Sequence, residues 1–345
     1  MAIFFDAPVE PDALTTLIRR VPTPSDNTLS TIFPTVYKES NTIDFAEIVQ
    51  KNRTAKYRAF DGRIHVSQRD IGSEKRVPLA PLSSSIGVGE YERLQLEFAR
   101  TQGTNKAALA NAIYNDGENL TREILNRVEL AWGDVLTDGK LSIKDDGFES
   151  EADYGLPANH SVTAATLWSN LATSAPLTDI AAWTDVWVDT NGAAPGSALT
   201  SRKVLRLLQR NKEIIDAVYG STQGRTRVSI TELNDLLAGE SLPTFRAAYD
   251  TQLSVDDVNT RVMADDRVTF LPENPADLGF MAYGLSATAL ELLDSAKTEY
   301  SFSEAPGIVG VVIKDGPPFR QFTFVDAVGQ PVLQDAKKLL TAKVA

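Results

Sequence analysis

The sequence contains no cysteine, only two histidines and only three methionines in 345 residues. Without cysteine there are no disulfides, no thiolate metal sites and no cysteine nucleophile, and a reducing compartment fits. The histidines, His65 and His160, belong to no HExxH pattern, and no GxSxG is present. His160 precedes Ser161, but adjacency in sequence is not a triad, and neither histidine is read as catalytic. Long apolar runs are also missing. Runs such as GIVGVVI at 307–313 are short, whereas a membrane span takes about 20 apolar residues. The start, MAIFFDAPVEPD, has no basic region and meets Asp6 early, so it does not read as a secretory signal. These features predict a soluble, cytoplasmic chain with no membrane partner. Positive charge is short: 34 Lys and Arg against 46 Asp and Glu, a net charge of −12. That balance argues against coating a nucleic-acid backbone, though not against lying beside DNA without gripping it.

Three near-motifs fail on inspection. GDVLTDGKL (133–141) has five residues between its glycines where a phosphate loop needs four, and Leu141 stands where a Ser or Thr belongs. GVGEYE (87–92) lacks the third glycine of a dinucleotide fingerprint. KDDGFESEAD lacks the alternating ligands of a calcium loop. The acidic pairs Asp256-Asp257 and Asp265-Asp266 read as solvated loop charges. No catalytic residue, metal ligand or cofactor site is predicted.

With 43% hydrophobic residues the chain holds enough for one large core or two to three smaller ones. Its dominant pattern lies at 104–138. Leu109, Ile113, Leu120, Ile124, Val128, Ala131 and Val135 recur at spacings of three and four, which puts an apolar stripe along one α-helix. Thr104 is placed to cap the start and Gly139 to end it in the left-handed conformation. Such a helix is roughly 50 Å long at about 1.5 Å per residue. Gly117 weakens the stripe, and a bend there is expected.

Around this helix, residues 1–37 are broken by Pro8, Pro11, Pro22, Pro24 and Pro34. They predict a short helix at 12–20 within an extended arm. The arm's aromatics (Phe4, Phe5, Phe33, Tyr37) are expected to dock elsewhere, on another subunit. Residues 38–90 predict strands, with Lys56–Ala59 and Arg63–Val66 flanking the turn Asp61-Gly62. A lone hairpin is marginal in water, so this one must lean on its own domain or on a neighbour. Residues 91–101 begin helical character. KLSIK (140–144) predicts a strand and the acidic DDGFESEADYG a loop. Residues 161–260 predict a separate α/β unit. In it Ile180, Trp183 and Trp187 share a helix ended by Gly192, Ser201 caps a helix 202–218, and Thr231 caps a short helix ending at Gly239. Arg202, Lys203, Arg206, Arg210 and Lys212 read as a solvated face. Strands are expected at 267–272, 308–314, 319–325 and 336–345, the last tied into a sheet.

The order of parts is arm, hairpin excursion, long helix, α/β unit, C-terminal strands. It resembles the major capsid proteins of tailed bacteriophages in the phage lambda major head protein family (major capsid protein E). Three stretches carry the resemblance: GVGEYERLQLEFAR leading into the long helix, RVTFLPENPADLGFMAYG (267–284), and FRQFTFVDAVGQPVLQDAKKLLTAKV (319–344). The resemblance implies an α+β chain with the Hong Kong 97 type capsid fold. It implies an N-terminal arm at 1–37, an extended β-hairpin loop at 38–90, and a peripheral domain at 91–154 with spine helix 104–138. An axial domain at 155–315 and peripheral C-terminal strands at 316–345 complete it.

The function so implied is that of a major head protein, not an enzyme. It self-assembles through hexamers and pentamers into the icosahedral shell of a virion, put together in the bacterial host cytoplasm. Its partners are copies of itself, scaffold, portal and decoration proteins, and packaged double-stranded DNA held without sequence-specific binding. Lys51, Lys56 and Lys75 lie in or near the loop, but no local pattern marks one as reactive, and no covalent cross-link is expected. The alternative is an encapsulin-like compartment shell packaging enzyme cargo, for which no cargo-docking groove is evident in the sequence.

Overall fold

The computed structural model describes residues 2–5, 7–47, 73–89, 106–145, 148–220, 224–295, 306–316 and 320–345. In chain order the first elements are β1 (Ala2–Ile3), α1 (Pro11–Ile18), α2 (Thr28–Ile32), β2 (Thr35–Tyr37), β3 (Thr42–Glu47), β4 (Ser73–Pro78) and β5 (Pro81–Val88). The long helix α3 (Lys106–Asp138) follows, then β6 (Lys140–Asp145), β7 (Phe148–Asp153) and β8 (Ser161–Thr163). Next come α4 (Pro176–Asn191), β9 (Ser197–Thr200), α5 (Arg202–Leu208), α6 (Lys212–Tyr219), α7 (Ile230–Gly239) and β10 (Thr244–Phe245). The chain continues through β11 (Gln252–Val255), β12 (Val258–Arg261), β13 (Arg267–Leu271), β14 (Gly279–Tyr283) and α8 (Ala287–Leu293). It ends with β15 (Val309–Asp315), β16 (Arg320–Leu333) and β17 (Leu340–Lys343).

The helix α3 is 33 residues long and runs unbroken through Gly117. Of the predicted stripe, Ile113, Leu120, Ile124, Val128 and Val135 are buried, and Ala131 is half-buried. Gly117 packs closely on α1: an added Cβ would stand 3.0 Å from Leu14. Gly139 ends the helix at φ +74°, its N–H donating to the Val135 carbonyl at 2.9 Å. The expected cap at Thr104, the helical character at 91–101 and the hairpin around Asp61-Gly62 lie outside the described residues. The predicted strands Lys56–Ala59 and Arg63–Val66 lie outside them too. β3 and β4 form an antiparallel ladder from Thr42↔Pro78 to Glu47↔Ser73.

Two sheets divide the rest. A six-stranded sheet orders β1-β15-β16-β14-β2, with β5 also paired to β16. The fourteen residues of β16 make this possible, because β15 and β5 flank Gln321–Asp326 while β14 pairs with Gly329–Leu333. A five-stranded sheet orders β10-β9-β13-β17-β8 and is closed by the C-terminal strand, as expected from its apolar composition. The expected boundaries at 155–315 and 316–345 do not coincide with these sheets. β14 and β15 join the sheet beside α3, whereas β17 joins the other.

The largest core lies between α3, the six-stranded sheet and the N-terminal segment, with Leu14, Leu29, Leu120, Trp132 and Val332 inside it. A second fills the α/β unit around Trp168, Trp183, Trp187 and Phe270. The three tryptophan rings and Phe270 meet in stacked and edge-on pairs at 5.8–6.5 Å. A small third cluster lies under α8.

Four expectations are corrected. First, Phe33 does not dock on another subunit: it is buried in its own chain and stacks on Trp132 at 3.9 Å. Leu14, Ile18 and Leu29 are buried with it, and both β1 and β2 pair with strands of the body. Residues 2–37 therefore find apolar cover at home, with Tyr37 left 62% exposed. Second, the acidic stretch at 148–153 is a strand, because its alternating residues pair with β6 and Lys140 meets Glu151 and Asp153. Third, 202–218 is two helices, split where Asn211 caps α6 by accepting from the Glu213 N–H at 2.9 Å. Fourth, Ser229 rather than Thr231 starts α7, in a capping box with Glu232. Ser201 caps α5 as predicted, and Gly192 ends α4 at φ +74°.

Gly133 and Gly117 give opposite expectations for substitution. A Cβ at Gly133 would overlap the backbone carbonyl of Val262, which has no freedom to rotate away. Gly133→Ala should lose about 1–3 kcal/mol despite its better helix propensity. Gly117→Ala meets only side-chain atoms, a Leu14 methyl closely and Ile18 at ordinary contact distance, and should stay within about 1 kcal/mol of the parent. Denaturant unfolding of the unassembled subunits measures both. An undamaged Gly133→Ala would contradict the close approach.

Candidate functional site: assembly surfaces and their anchor

Among the described residues no group of three or more His, Cys, Asp or Glu side chains could hold a metal ion. His65 lies outside the described residues. His160 is fully buried and structural: Nδ1 meets the Leu339 carbonyl at 2.8 Å, Nε2 meets the Thr190 hydroxyl at 3.1 Å, and the ring stacks on Trp187. It staples α4 to the approach of the last strand. The phosphate-loop look-alike is the end of α3 and the start of β6. Asp256 and Asp257 form the β11–β12 turn, at φ +50° and +62°. Asp265 and Asp266 are less solvated than expected. Asp265 takes Lys203, and Asp266 lies between Lys343 and Arg267. Arg202, Lys203, Arg206, Arg210 and Lys212 are exposed, as predicted.

The polar anchor of the molecule is Glu129, which is fully buried. One carboxylate oxygen accepts the Leu29 N–H at 2.9 Å and the Tyr249 hydroxyl at 2.7 Å. The other accepts the Ser30 N–H at 2.7 Å and the Ser30 hydroxyl at 2.6 Å. An ionised group out of water is tolerable only when its lone pairs are so filled. The Tyr249 phenol is in turn pushed up, first by burial and then by the charge of Glu129. Beside this node Asn27 donates to Asn126 at 2.9 Å, and the Thr251 hydroxyl donates to the Asp26 carbonyl at 2.7 Å. Sequence reading missed the node. The available signal was a lone glutamate three residues before Trp132 and seven before Leu136, inside the buried arc of the helix.

The outer surface offers area rather than chemistry. A groove of 540 Å³ runs between α3 and the β6–β7 and β11–β12 hairpins, floored by Val128, Ala131, Leu141 and Pro331. Asp134 on its wall is raised above the usual carboxylate range, mainly by burial. Phe148 and Val258, on the two hairpins, are 41% and 64% exposed.

Solved structures share this arrangement over their full length. A protein described as the capsid protein of a prophage in Escherichia coli CFT073 aligns with a TM-score of 0.61 at 17% identity, covering 98% of this chain and 99% of its own. A phage-related protein from Bordetella bronchiseptica RB50 aligns with a TM-score of 0.57 at 15% identity, covering 100% of this chain and 99% of its own. No curated protein sequence matches. The long helix across a sheet and the separate α/β unit thus have the Hong Kong 97 type fold. The sequence pattern of the family described as phage major capsid protein E matches residues 10–299, and the chain belongs to that family. It is the major capsid protein of a tailed phage, part of the virion and the building block of its icosahedral shell.

The histidine staple makes a pH prediction. Burial lowers the His160 pKa from its ordinary 6.5, against the weaker opposing pull of the Leu339 carbonyl and Asp335. The folded ring is therefore neutral while the unfolded chain protonates first. The resulting penalty is absent above about 6.5 and grows as the pH falls from there toward the lowered folded value. His160→Gln should flatten the loss of melting temperature between pH 7 and 5 relative to the parent. Parallel profiles for the two proteins would contradict it.

Proposed function

We propose that this chain works as a structural, non-catalytic shell subunit that assembles in the host cytoplasm through pentamers and hexamers around double-stranded DNA. Scaffold, portal and decoration proteins are its further partners. The observation that carries the reading is the family match spanning most of the chain. We assign the body of α3 and the six-stranded sheet to the peripheral role, and the unit around the five-stranded sheet, β17 included, to the axial role. Residues 1–37 act as the arm, and residues 38–90 as the loop that crosses to a neighbour. The physical logic is contact area: each apolar square ångström covered on assembly contributes about 25 cal/mol, and exposed Tyr37, Phe148 and Val258 are available for it. The net charge of −12 keeps the shell wall from trapping packed DNA.

Electron microscopy of the purified protein tests this reading. Closed particles are expected, and a persistently monomeric chain that never closes into shells would overturn it. Mature heads boiled and run on a denaturing gel should give a single subunit band near 37.5 kDa. A ladder of multimers would reveal covalent welding and refute the expectation of none.

A further inference from the structure

Glu129 is a buried charge that a shell subunit does not need for folding alone, since an apolar residue would fill the space at lower cost. Its four donors are all neutral and come from two segments far apart in the chain: Leu29 and Ser30 near the N-terminus, and Tyr249 beside the α/β unit. Residues 26–33 are thereby held between α3 and a strap, residues 249–262, that carries β11 and β12. Asn27 on Asn126, Phe33 on Trp132 and Thr251 on the Asp26 carbonyl complete the seat.

The α/β unit touches α3 at a second place. Arg267, which opens β13, donates to the Thr137 carbonyl at 3.1 Å. Glu129 and Thr137 are two turns apart on one rigid rod, about 12 Å along the axis at 1.5 Å per residue. Between them Gly133 lets the Val262 backbone rest directly on the helix. Two attachment points and a fulcrum fix the angle of one unit on the other. With a lever of this length, a slip of about 1 Å at one end turns the unit by about 5°.

We propose that Glu129 is a latch: by seating residues 26–33 against the Tyr249 strap it fixes the angle between the α3 body and the α/β unit, and so the curvature at which copies of this chain close. The proposal rests on the shell reading given above. Shell curvature is set by the wedge angle of each subunit, repeated over every copy. A small change of that angle therefore appears as a change of particle diameter rather than as loss of fold.

The test compares the parent with Glu129→Gln, Tyr249→Phe and the double variant. Glu129→Gln keeps the volume but replaces one accepting oxygen by a donor. Tyr249→Phe removes a single hydroxyl and keeps the chain foldable if Glu129→Gln is not. Far-UV circular dichroism should be unchanged in the folded variants. Trypsin cleavage after Arg20 should be at least ten-fold faster, and electron micrographs should show broadened or shifted particle diameters. The double variant should be no worse than Glu129→Gln, because both changes break one node. Parent-like diameters and cleavage rates in Tyr249→Phe and in any folded Glu129→Gln overturn the latch. So does a lowered melting temperature with unaltered diameter, which would leave Glu129 a stabilising contact only. If the parent itself forms no particles, the shell reading fails, and accelerated cleavage with non-additive variants still reports the latch.

Discussion

A rod of 33 helical residues has to be covered on more than one side, and α3 is covered by parts of the chain that are remote in sequence. Leu14 and Leu29 come from the N-terminal segment, Val332 from β16, and Val262 and Tyr249 from the strap beside the α/β unit. Each of these contacts closes a long loop, so none forms cheaply by itself, and the helix gives them a common partner. The apolar stripe supplies most of the driving force. Glu129 supplies what apolar packing lacks, which is direction, because a carboxylate with four donors accepts one arrangement of its neighbours.

The N-terminal segment does not need a neighbour to cover its largest buried aromatic. Phe33 stacks on Trp132, and Val9, Leu14, Ile18 and Leu29 are buried in their own body, while Tyr37 stays exposed. Membership in the capsid family stands on the match across residues 10–299. The surfaces left for neighbours are the apolar residues that stay exposed, the groove beside the β6–β7 and β11–β12 hairpins, and the paired limbs β3 and β4.

Much of this was legible from residues. The periodicity of Ile113, Leu120, Ile124, Val128 and Val135 identifies α3, and Gly139 marks its end, because helix period and left-handed glycine are local signals. Ser201 and Gly192 were legible for the same reason. The split at Asn211 was not, since Leu207, Leu208, Ile214 and Ile215 keep an apolar face on both sides of the break. The strand at 148–153 was hidden because its residues are acidic rather than β-prone, and what makes it a strand is its ladder to β6, which no local pattern in 148–153 announces. Glu129 was invisible as an anchor because Leu29, Ser30 and Tyr249 lie about a hundred residues away on either side, and no local pattern joins them.

The position of β17 has a consequence for the order in which a nascent chain matures. Leu340–Lys343 lies between β13 and β8 rather than at the rim, so the five-stranded sheet stays split until those residues leave the ribosome. Until then the α/β unit waits with Val268, Phe270 and its tryptophans imperfectly covered, and the other sheet waits almost as long, because β16, which β15, β5 and β14 all pair with, ends only at Leu333. Setting β17 between strands that begin at Ser161 and Arg267 ties both ends of the α/β unit into one sheet, so that unit cannot become rigid piecemeal.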